Sequence, residues 1–550
     1  MKTRHARRQQ KTRALSARLH RLAAAALGAA AGVAVLPAMG SLLGQNLFPT
    51  NNPWNQDISG APVAANSASV IAKIGGSRKI HPDWGTDSPT NGTSPLYGIP
   101  YNVVHGNSTA KVNVIIDNYP GESDLLAVPI PANAVIEGDY QNGPNPNGPG
   151  YTQNANERGD SHLIVWDEDN NIGYELYGAA RPADPVLIDG TSHTDGKWHA
   201  AQESVWHYST NAFRALGYTS ADAAGLPVLA GLVRPDEGLP IAQGGQGAIQ
   251  HALRLTLSTS DGQYIYPASH VTSGSTGYPP FGARFRLKNT TAINNLIATM
   301  GPEAQIVARA MQKYGLIFAD NGSSMYVTGA SAAVNAANGL SLTWNMDDIV
   351  GGLSQLPASD FDLVDLTPAV TSLSQGTGAA GTALTINGYN FSGAAGHLSI
   401  FFGTNAAAAP NVLGDSQISV TVPAGSGTVD VTVRSGLYEP DTNDGPGANV
   451  HEPIFGYGTS ATTAADKFTY LAAVPSIQHI AMRGGNLTLS GTNPGGAGGT
   501  YHVLVSPNLQ LPLTNWTVLA GGSFDSNGNF AFTNALAPTN THLFYQLRVP

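Results

Sequence analysis

Ser416-Gln-Ile-Ser-Val-Thr-Val-Pro423, followed after a short Gly-rich break by Thr428-Val-Asp-Val-Thr-Val-Arg434, is the stretch that decides the fold class. Apolar and polar residues alternate through both runs, so one face of each meets a core and the other meets water, as in half-buried strands. Further strand-like runs are Val112 to Ile116, His162 to Trp166, Ile172 to Tyr177, Ala248 to Leu257, Ala283 to Leu287, Tyr501 to Val505 and Phe544 to Val549. With 64 Gly and 36 Pro between them, the runs read as short strands joined by tight turns, and the expected fold is mainly β. One full helix is predicted over Gly301 to Tyr314. Pro302 sits in its first turn, Ile306, Val307, Ala310, Met311 and Tyr314 recur at helical spacing, and Gly315 closes it. Thr219-Ser-Ala-Asp222 has capping-box spacing for a single further turn ended by Gly225. Asn46 to Val70 carries too many Pro and Asn for a helix and is expected to run extended over the surface of the next region.

Met1 to Gly40 holds eight Lys/Arg and no acid, then the apolar run Leu22 to Pro37 and the small-residue site Ala38-Met39-Gly40 before Ser41. The apolar part, about 15 residues, fits a secretory signal rather than a membrane span, which needs about 20. The mature protein is therefore expected outside the cytoplasm, secreted or extracellular, with the periplasm and the cell surface as variants, and without membrane insertion after signal removal. Without those eight bases, 19 Lys/Arg face 37 Asp/Glu, a net charge of −18. So acidic a chain is a poor partner for nucleic acid or an anionic membrane, whose affinity comes from neutralising phosphates. The absence of cysteine excludes disulfides, thiolate metal sites and thiol nucleophiles.

Beyond Pro368 the texture shifts to Ala, Gly, Ser, Thr and Val. Gly381-Thr382, Gly388-Tyr-Asn-Phe391, Ile400-Phe-Phe-Gly403 and the two opening runs resemble an IPT/TIG domain over about 368 to 470, which implies an early-set immunoglobulin sandwich. The expected organisation is a signal peptide (1–40), a large β-sandwich-like region with few helices (46–366), the IPT/TIG sandwich (368–470) and a small C-terminal β-sandwich module (473–550). Leu437 to Tyr457 is expected to form a long polar loop in the IPT/TIG sandwich, and Asp525-Ser-Asn-Gly-Asn529 a hairpin turn in the last module. Around Thr219-Ser-Ala-Asp-Ala-Ala-Gly-Leu-Pro227 and the strands after it, the chain also resembles a group of secreted bacterial proteins without an assigned activity.

Unusual polar residues gather in 46–366. Period 2 in Gly159-Asp-Ser-His-Leu-Ile-Val-Trp166 would put Asp160, His162 and Trp166 on one face, an acid, an imidazole and an indole suited to a sugar ring; the plain alternative is a turn acid and a core tryptophan. Glu175, Asp222 and Glu237 complete a set of four candidate catalytic carboxylates with Asp160, since glycoside hydrolysis needs two acids across the scissile bond. Against this, Asp222 could cap its own turn and Glu237 could be a solvated loop acid. His162, Trp166, Arg254 and His270 are candidate substrate-binding groups. Arg254 stands alone on the polar face of its strand and is better explained by a carboxylate partner, and His251 reads as a satisfied buried imidazole. Asp167-Glu-Asp-Asn-Asn-Ile-Gly173 echoes a calcium loop but lacks the final bidentate acid, so a hairpin loop fits better. His193, His199 and His207 lack ligand spacing, so neither a metal nor a cofactor is expected.

The leading expectation is a secreted, modular, carbohydrate-active protein hydrolysing a neutral polysaccharide with a carboxylate pair, its partner a polysaccharide or cell-surface glycan. A non-catalytic adhesion or glycan-binding protein is the alternative. A polysaccharide lyase using Arg254 with a His or Tyr base is a further one, disfavoured by the acidic charge. N-terminal sequencing of secreted material is expected to start near Ser41; recovery of intact chain from the cytosol alone would defeat the localisation.

Overall fold

The computed structural model describes residues 47–84, 98–139, 155, 158–330, 342, 344–391, 398–435, 458–471, 475–493, 499–536 and 542–549. The signal peptide and the 437–457 loop lie outside the described residues. The chain is mainly β. Its large region holds strands β1 (His81–Asp83), β2 (Tyr101–Val104), β3 (Val114–Ile116), β4 (Leu163–Asp167), β5 (Ile172–Tyr177), β6 (Trp198–Ala200), β7 (Gln202–His207), β8 (Leu253–Leu257), β9 (Arg284–Leu287), β10 (Leu316–Asn321), β11 (Tyr326–Thr328) and β12 (Phe361–Leu363). A six-stranded mixed sheet runs β1-β11-β8-β10-β9-β12, a four-stranded sheet runs β2-β4-β5-β7, and β3 pairs with β6.

β4 explains how these sheets share one body. All five of its residues are buried, because Ile164 and Trp166 enter the main core while Leu163 and Val165 enter a second one with Val128, Tyr174 and Leu176. The predicted helix forms at Pro302–Lys313, with Gly301 at its N-terminal cap and Gly315 at φ +73 just beyond its end. It packs against β9 and against the Met346–Leu353 helix, and its Ala304, Val307 and Met311 are fully buried. Further helices span Ser67–Ile74, Thr291–Thr299 and Met346–Leu353. Residues 219–225, by contrast, form a tight loop and no helical turn: the Asp222 N–H donates to Ser220 Oγ at 3.0 Å and the Gly225 N–H to the Asp222 carbonyl.

The expectation for residues 46–70 is corrected. Leu47, Phe48, Trp54 and Ile58 are buried, and the end of the segment is already helical. Trp54 drives this, since its ring lies in the main core and its carbonyl accepts the Ala252 N–H at 2.7 Å beside β8. Pro and Asn forbid a long helix here but do not stop a wide aromatic from being buried.

The described residues between 369 and 470 form two facing sheets, one of Ala369–Leu373, Ala383–Tyr389, Gln417–Thr421 and Asn411–Gly414, the other centred on Thr428–Ser435 between Lys467–Tyr470 and Leu398–Phe402. The alternation is realised: Ile418, Val420, Val431 and Val433 are buried with Ile400, Phe402 and Phe468. Tyr266 of the large region enters this same core and meets Phe213 edge-on, so the two bodies share an apolar seam. The C-terminal segment is a second sandwich around Leu489, Val503 and Phe530. There Asp525 to Asn529 is no hairpin. Thr517–Ser523 and Asn529–Ala535 belong to different sheets, so the turn carries the chain across the sandwich. Among the described residues no helix is long and apolar enough to cross a membrane.

Trp54→Ala should cost about 3–5 kcal/mol, the range for removing a buried aromatic. Chemical denaturation measures it, and a loss under about 1 kcal/mol would show that the segment is not part of the core.

Candidate functional site

The loop 219–226 is where the sheets of the large region meet, and its shape comes from its own polar atoms. Ser220 Oγ donates to the Leu226 carbonyl, and the Thr219 N–H donates to Glu122 Oε2 at 2.9 Å. Gly225, at φ +69, has no alternative: an added Cβ would lie 2.6 Å from the Tyr218 carbonyl oxygen. Arg254 on β8 then clamps the loop. Its Nε donates to both Asp222 carboxylate oxygens at 2.9 Å, its Nη2 to Asp320 Oδ2 at 2.7 Å and its Nη1 to Thr328 Oγ1 at 2.6 Å. The guanidinium is held firmly protonated because the two carboxylates outweigh its burial.

Asp320 reaches this point through a break in β10. Residues two apart in a regular strand share a face, yet Phe318 is buried in the core whereas Asp320 is partly exposed. The register of β10 against β8 shifts between them. Burial and the neighbouring Asp222 push the Asp320 carboxyl up to about 7, against the pull of Arg254.

A cleft of about 210 Å³ opens in front of the clamp, lined by Tyr119, Asp160, Tyr177, Gln202, Thr219, Ser220, Ala221, Ala223, His270, Thr272, Asp320 and Asn321. Its walls come from the ends of β5 and β10, the start of β7 and four loops, those of Tyr119, Asp160, residues 219–223 and residues 270–272. Asp160 is exposed in a turn that precedes β4, with Gly159 and Ser161 both at positive φ. His270 donates from Nδ1 to the Ala223 carbonyl at 2.7 Å, its Nε2 lies 3.9 Å from Glu122 Oε2, and burial lowers its pKa, so the imidazole at the cleft is neutral. Behind the lining, His162 is doubly protonated: Nδ1 donates to Glu137 Oε2 at 2.6 Å and Nε2 to the Ala221 carbonyl at 3.1 Å. Burial opposes that charge, but Glu137 outweighs it and lifts the imidazole to about 10.

Of the candidate residues read from sequence, Asp160 and His270 line the cleft, and Asp222, Arg254 and His162 stand directly behind it. The others lie elsewhere. Glu175 is fully buried and accepts the Val228 and Leu229 N–H groups, both at 2.9 Å, and the Trp206 indole at 3.1 Å. Glu237 is buried between Arg234 and His251, which hold its carboxyl below the usual range in spite of burial. Trp166 is 3% exposed, donates to Asn171 Oδ1 and packs in the core, so it offers no face to a sugar. The Asp167 loop spends its first carboxylate on the N–H groups of Gly106, Asp169 and Asn170, as a hairpin does. Asp320, Tyr119 and Gln202 carried no signal in the sequence: a strand irregularity and distant loops bring them in. The histidines set aside on spacing are closer than they read, for the His193 and His199 ring centroids stand 4.3 Å apart.

Residues 368–447 match the IPT/TIG domain family. That stretch is an IPT/TIG domain. No curated protein matches the chain. Among solved structures, it is similar to SGBP-B of a mixed-linkage glucan utilization locus of Bacteroides ovatus, in complex with a mixed-linkage heptasaccharide. The identity is 16% over 32% of this chain and 46% of that one, with a TM-score of 0.13. SGBP-B from a complex xyloglucan utilization locus of Bacteroides uniformis is 11% identical over 34% and 69%, TM-score 0.14. A cytokine receptor complex is 12% identical over 32% and 88%, TM-score 0.16. The chain thus spans less than half the length of the Bacteroides ovatus protein, and scores this low say nothing about ligand or activity.

The cluster of raised carboxyls predicts a pH dependence. Burial holds Glu175 up to about 7, so its stabilising neutral form is complete below the ordinary carboxylate range and is lost as pH rises through 7. Glu203, also raised to about 7 by burial, has the same sign. The melting temperature should therefore fall by several degrees from about pH 5 to about pH 8, and less steeply in Glu175→Gln. Equal slopes in the two proteins would show that Glu175 is ionised throughout.

Proposed function

We propose that the chain is a secreted glycan-binding protein whose cleft holds a unit of a neutral polysaccharide or cell-surface glycan. One observation carries the reading. Of the four carboxylates that could have formed a hydrolytic pair, Asp160 alone lines the cleft, while Asp222, Glu175 and Glu237 are consumed by Arg254, by backbone N–H groups and tryptophan, and by Arg234 with His251. What remains facing the cleft suits hydroxyl groups: the Gln202 Oε1 and Asn321 Oδ1 oxygens accept no hydrogen bond from the described residues, Thr272 lies beside them, and Tyr119, 45% exposed, offers a ring at the mouth. Among the described residues no Lys or Arg lines it, which with the −18 charge of the mature chain favours an uncharged ligand. The volume is small beside the roughly 300–1,000 Å³ of drug-sized pockets and suits a single sugar ring of a longer chain. The lyase reading loses its cation, because Arg254 does not line the cleft and each of its nitrogens already donates to Asp222, Asp320 or Thr328.

Hydrolysis stays as the second reading on one specific feature. Asp320, raised to about 7, lines the same cleft as Asp160, so two carboxyl groups face one space, as hydrolysis requires.

Isothermal titration of the mature protein against neutral polysaccharides separates the two. Saturable binding without release of reducing ends, weakened about tenfold or more in Tyr119→Ala and in Asp160→Ala, is the expected result. Reducing ends that disappear in both Asp160→Asn and Asp320→Asn would install the hydrolase, and failure to bind any neutral glycan would sink the proposal.

A further inference from the structure

The segment His193-Thr-Asp-Gly-Lys-Trp-His199 folds so that its two imidazoles and its carboxylate converge. Their ligand atoms all lie within 4.8 Å of one another. Asp195 stands between the rings, with Oδ1 2.9 Å from His193 Nε2 and Oδ2 3.2 Å from His199 Nε2. Gly196, at φ +72, makes the return turn, and the Lys197 N–H donates to Asp195 Oδ1 at 3.0 Å, which fixes the carboxylate.

The decisive feature is what the far side of each ring does. His193 Nδ1 lies 2.7 Å from the Asp184 carbonyl, an acceptor only, so that nitrogen carries a hydrogen. His199 Nδ1 faces the Asp117 carboxylate at 3.0 Å, again an acceptor only. In their neutral forms both rings therefore direct an Nε2 lone pair at the same place as Asp195. A carbonyl and a carboxylate behind the two imidazoles are the outer partners that orient metal-bound histidine and raise its basicity. Both histidines are buried and Asp195 is 41% exposed at its side chain, so a fourth position opens toward solvent.

We propose that His193, Asp195 and His199 bind a zinc ion, with the Asp184 carbonyl and Asp117 as outer-shell acceptors and water completing a tetrahedron. Two imidazoles and one carboxylate suit zinc, whereas calcium and magnesium favour all-oxygen sets. The ligands sit on held backbone. His199 belongs to β6, pairs with Ile115 of β3 and bridges Ala180, and the His193 N–H donates to the Pro185 carbonyl at 2.8 Å. The site therefore ties the 184–199 loop to strands that lead within three residues to Tyr177 and Gln202 of the cleft. Its role is a brace for that wall, and it stands or falls independently of what the cleft binds.

Mature full-length protein stripped with chelator and titrated with zinc chloride tests the site. One zinc per chain is expected, with a raised melting temperature in its presence. His193→Ala and His199→Ala should each abolish that binding while circular dichroism shows a folded chain, and Asp117→Asn should bind about 10–100-fold more weakly. Absence of saturable binding would overturn the proposal. So would a folded double variant, His193→Ala with His199→Ala, that binds zinc as the parent does. Tighter binding of calcium chloride at the same residues would overturn the choice of metal.

Discussion

The clamp of Arg254 on Asp222, Asp320 and Thr328 is the interaction on which the large region depends. It joins β8, the end of β10, β11 and the 219–226 loop through one guanidinium that is almost fully withdrawn from water. Removing one member of such a cluster leaves an uncompensated buried charge, which typically costs about 3–5 kcal/mol. The loop it secures supplies Thr219, Ser220, Ala221 and Ala223 to the cleft, so the same charges that hold the fold together also shape the site. Arg254 acts here by positioning, and each of its three nitrogens donates to the protein.

That arrangement also explains why so few groups in the cleft are charged. Three carboxylates, an arginine and an imidazolium lie within or just behind its lining, and their charges largely oppose one another. The surface left to a ligand is made of hydroxyls, amides, a neutral imidazole and two tyrosines, with Asp160 the exposed charge. Groups of this kind exchange hydrogen bonds with water at little net cost, and they discriminate by geometry when a ligand places its own hydroxyls among them.

The fold class was legible because alternation is a local signal: Ile418, Val420, Val431 and Val433 point to the core by their spacing alone. The Pro302–Lys313 helix was legible for the same reason, since its start, apolar stripe and closing glycine are all local. The C-terminal turn shows the limit. Asp525 to Asn529 has the residues of a tight turn, but whether the flanking strands pair is settled by distant partners, and Asn529–Ala535 finds its own in Asn486–Thr492. The 46–70 segment fails likewise, because its composition describes the backbone while Trp54 decides the burial.

The site was legible in part, and the pattern of success follows from how each residue is held. Asp160 and His270 sit in loops at strand ends, where sequence and exposure agree. Glu175 and Glu237 looked equally available, but a carboxylate in a nearly uncharged chain is as valuable for satisfying buried N–H groups and cations as for chemistry. Nothing local separates the two uses. Asp320 was invisible because a one-residue slip in β10 moves it from the core face to the cleft, and such a slip is dictated by the neighbouring strand. His193 and His199 are hidden by a related effect. A spacing of six puts the rings on different faces of a helix and about 20 Å apart along a strand, and it becomes meaningful only when Gly196 turns the chain back and the bridge from His199 to Ala180 holds the second ring against the first. In an acidic, cysteine-free chain built of short strands, the chemistry thus lies in contacts between loops, while the sequence speaks chiefly of the strands that carry them.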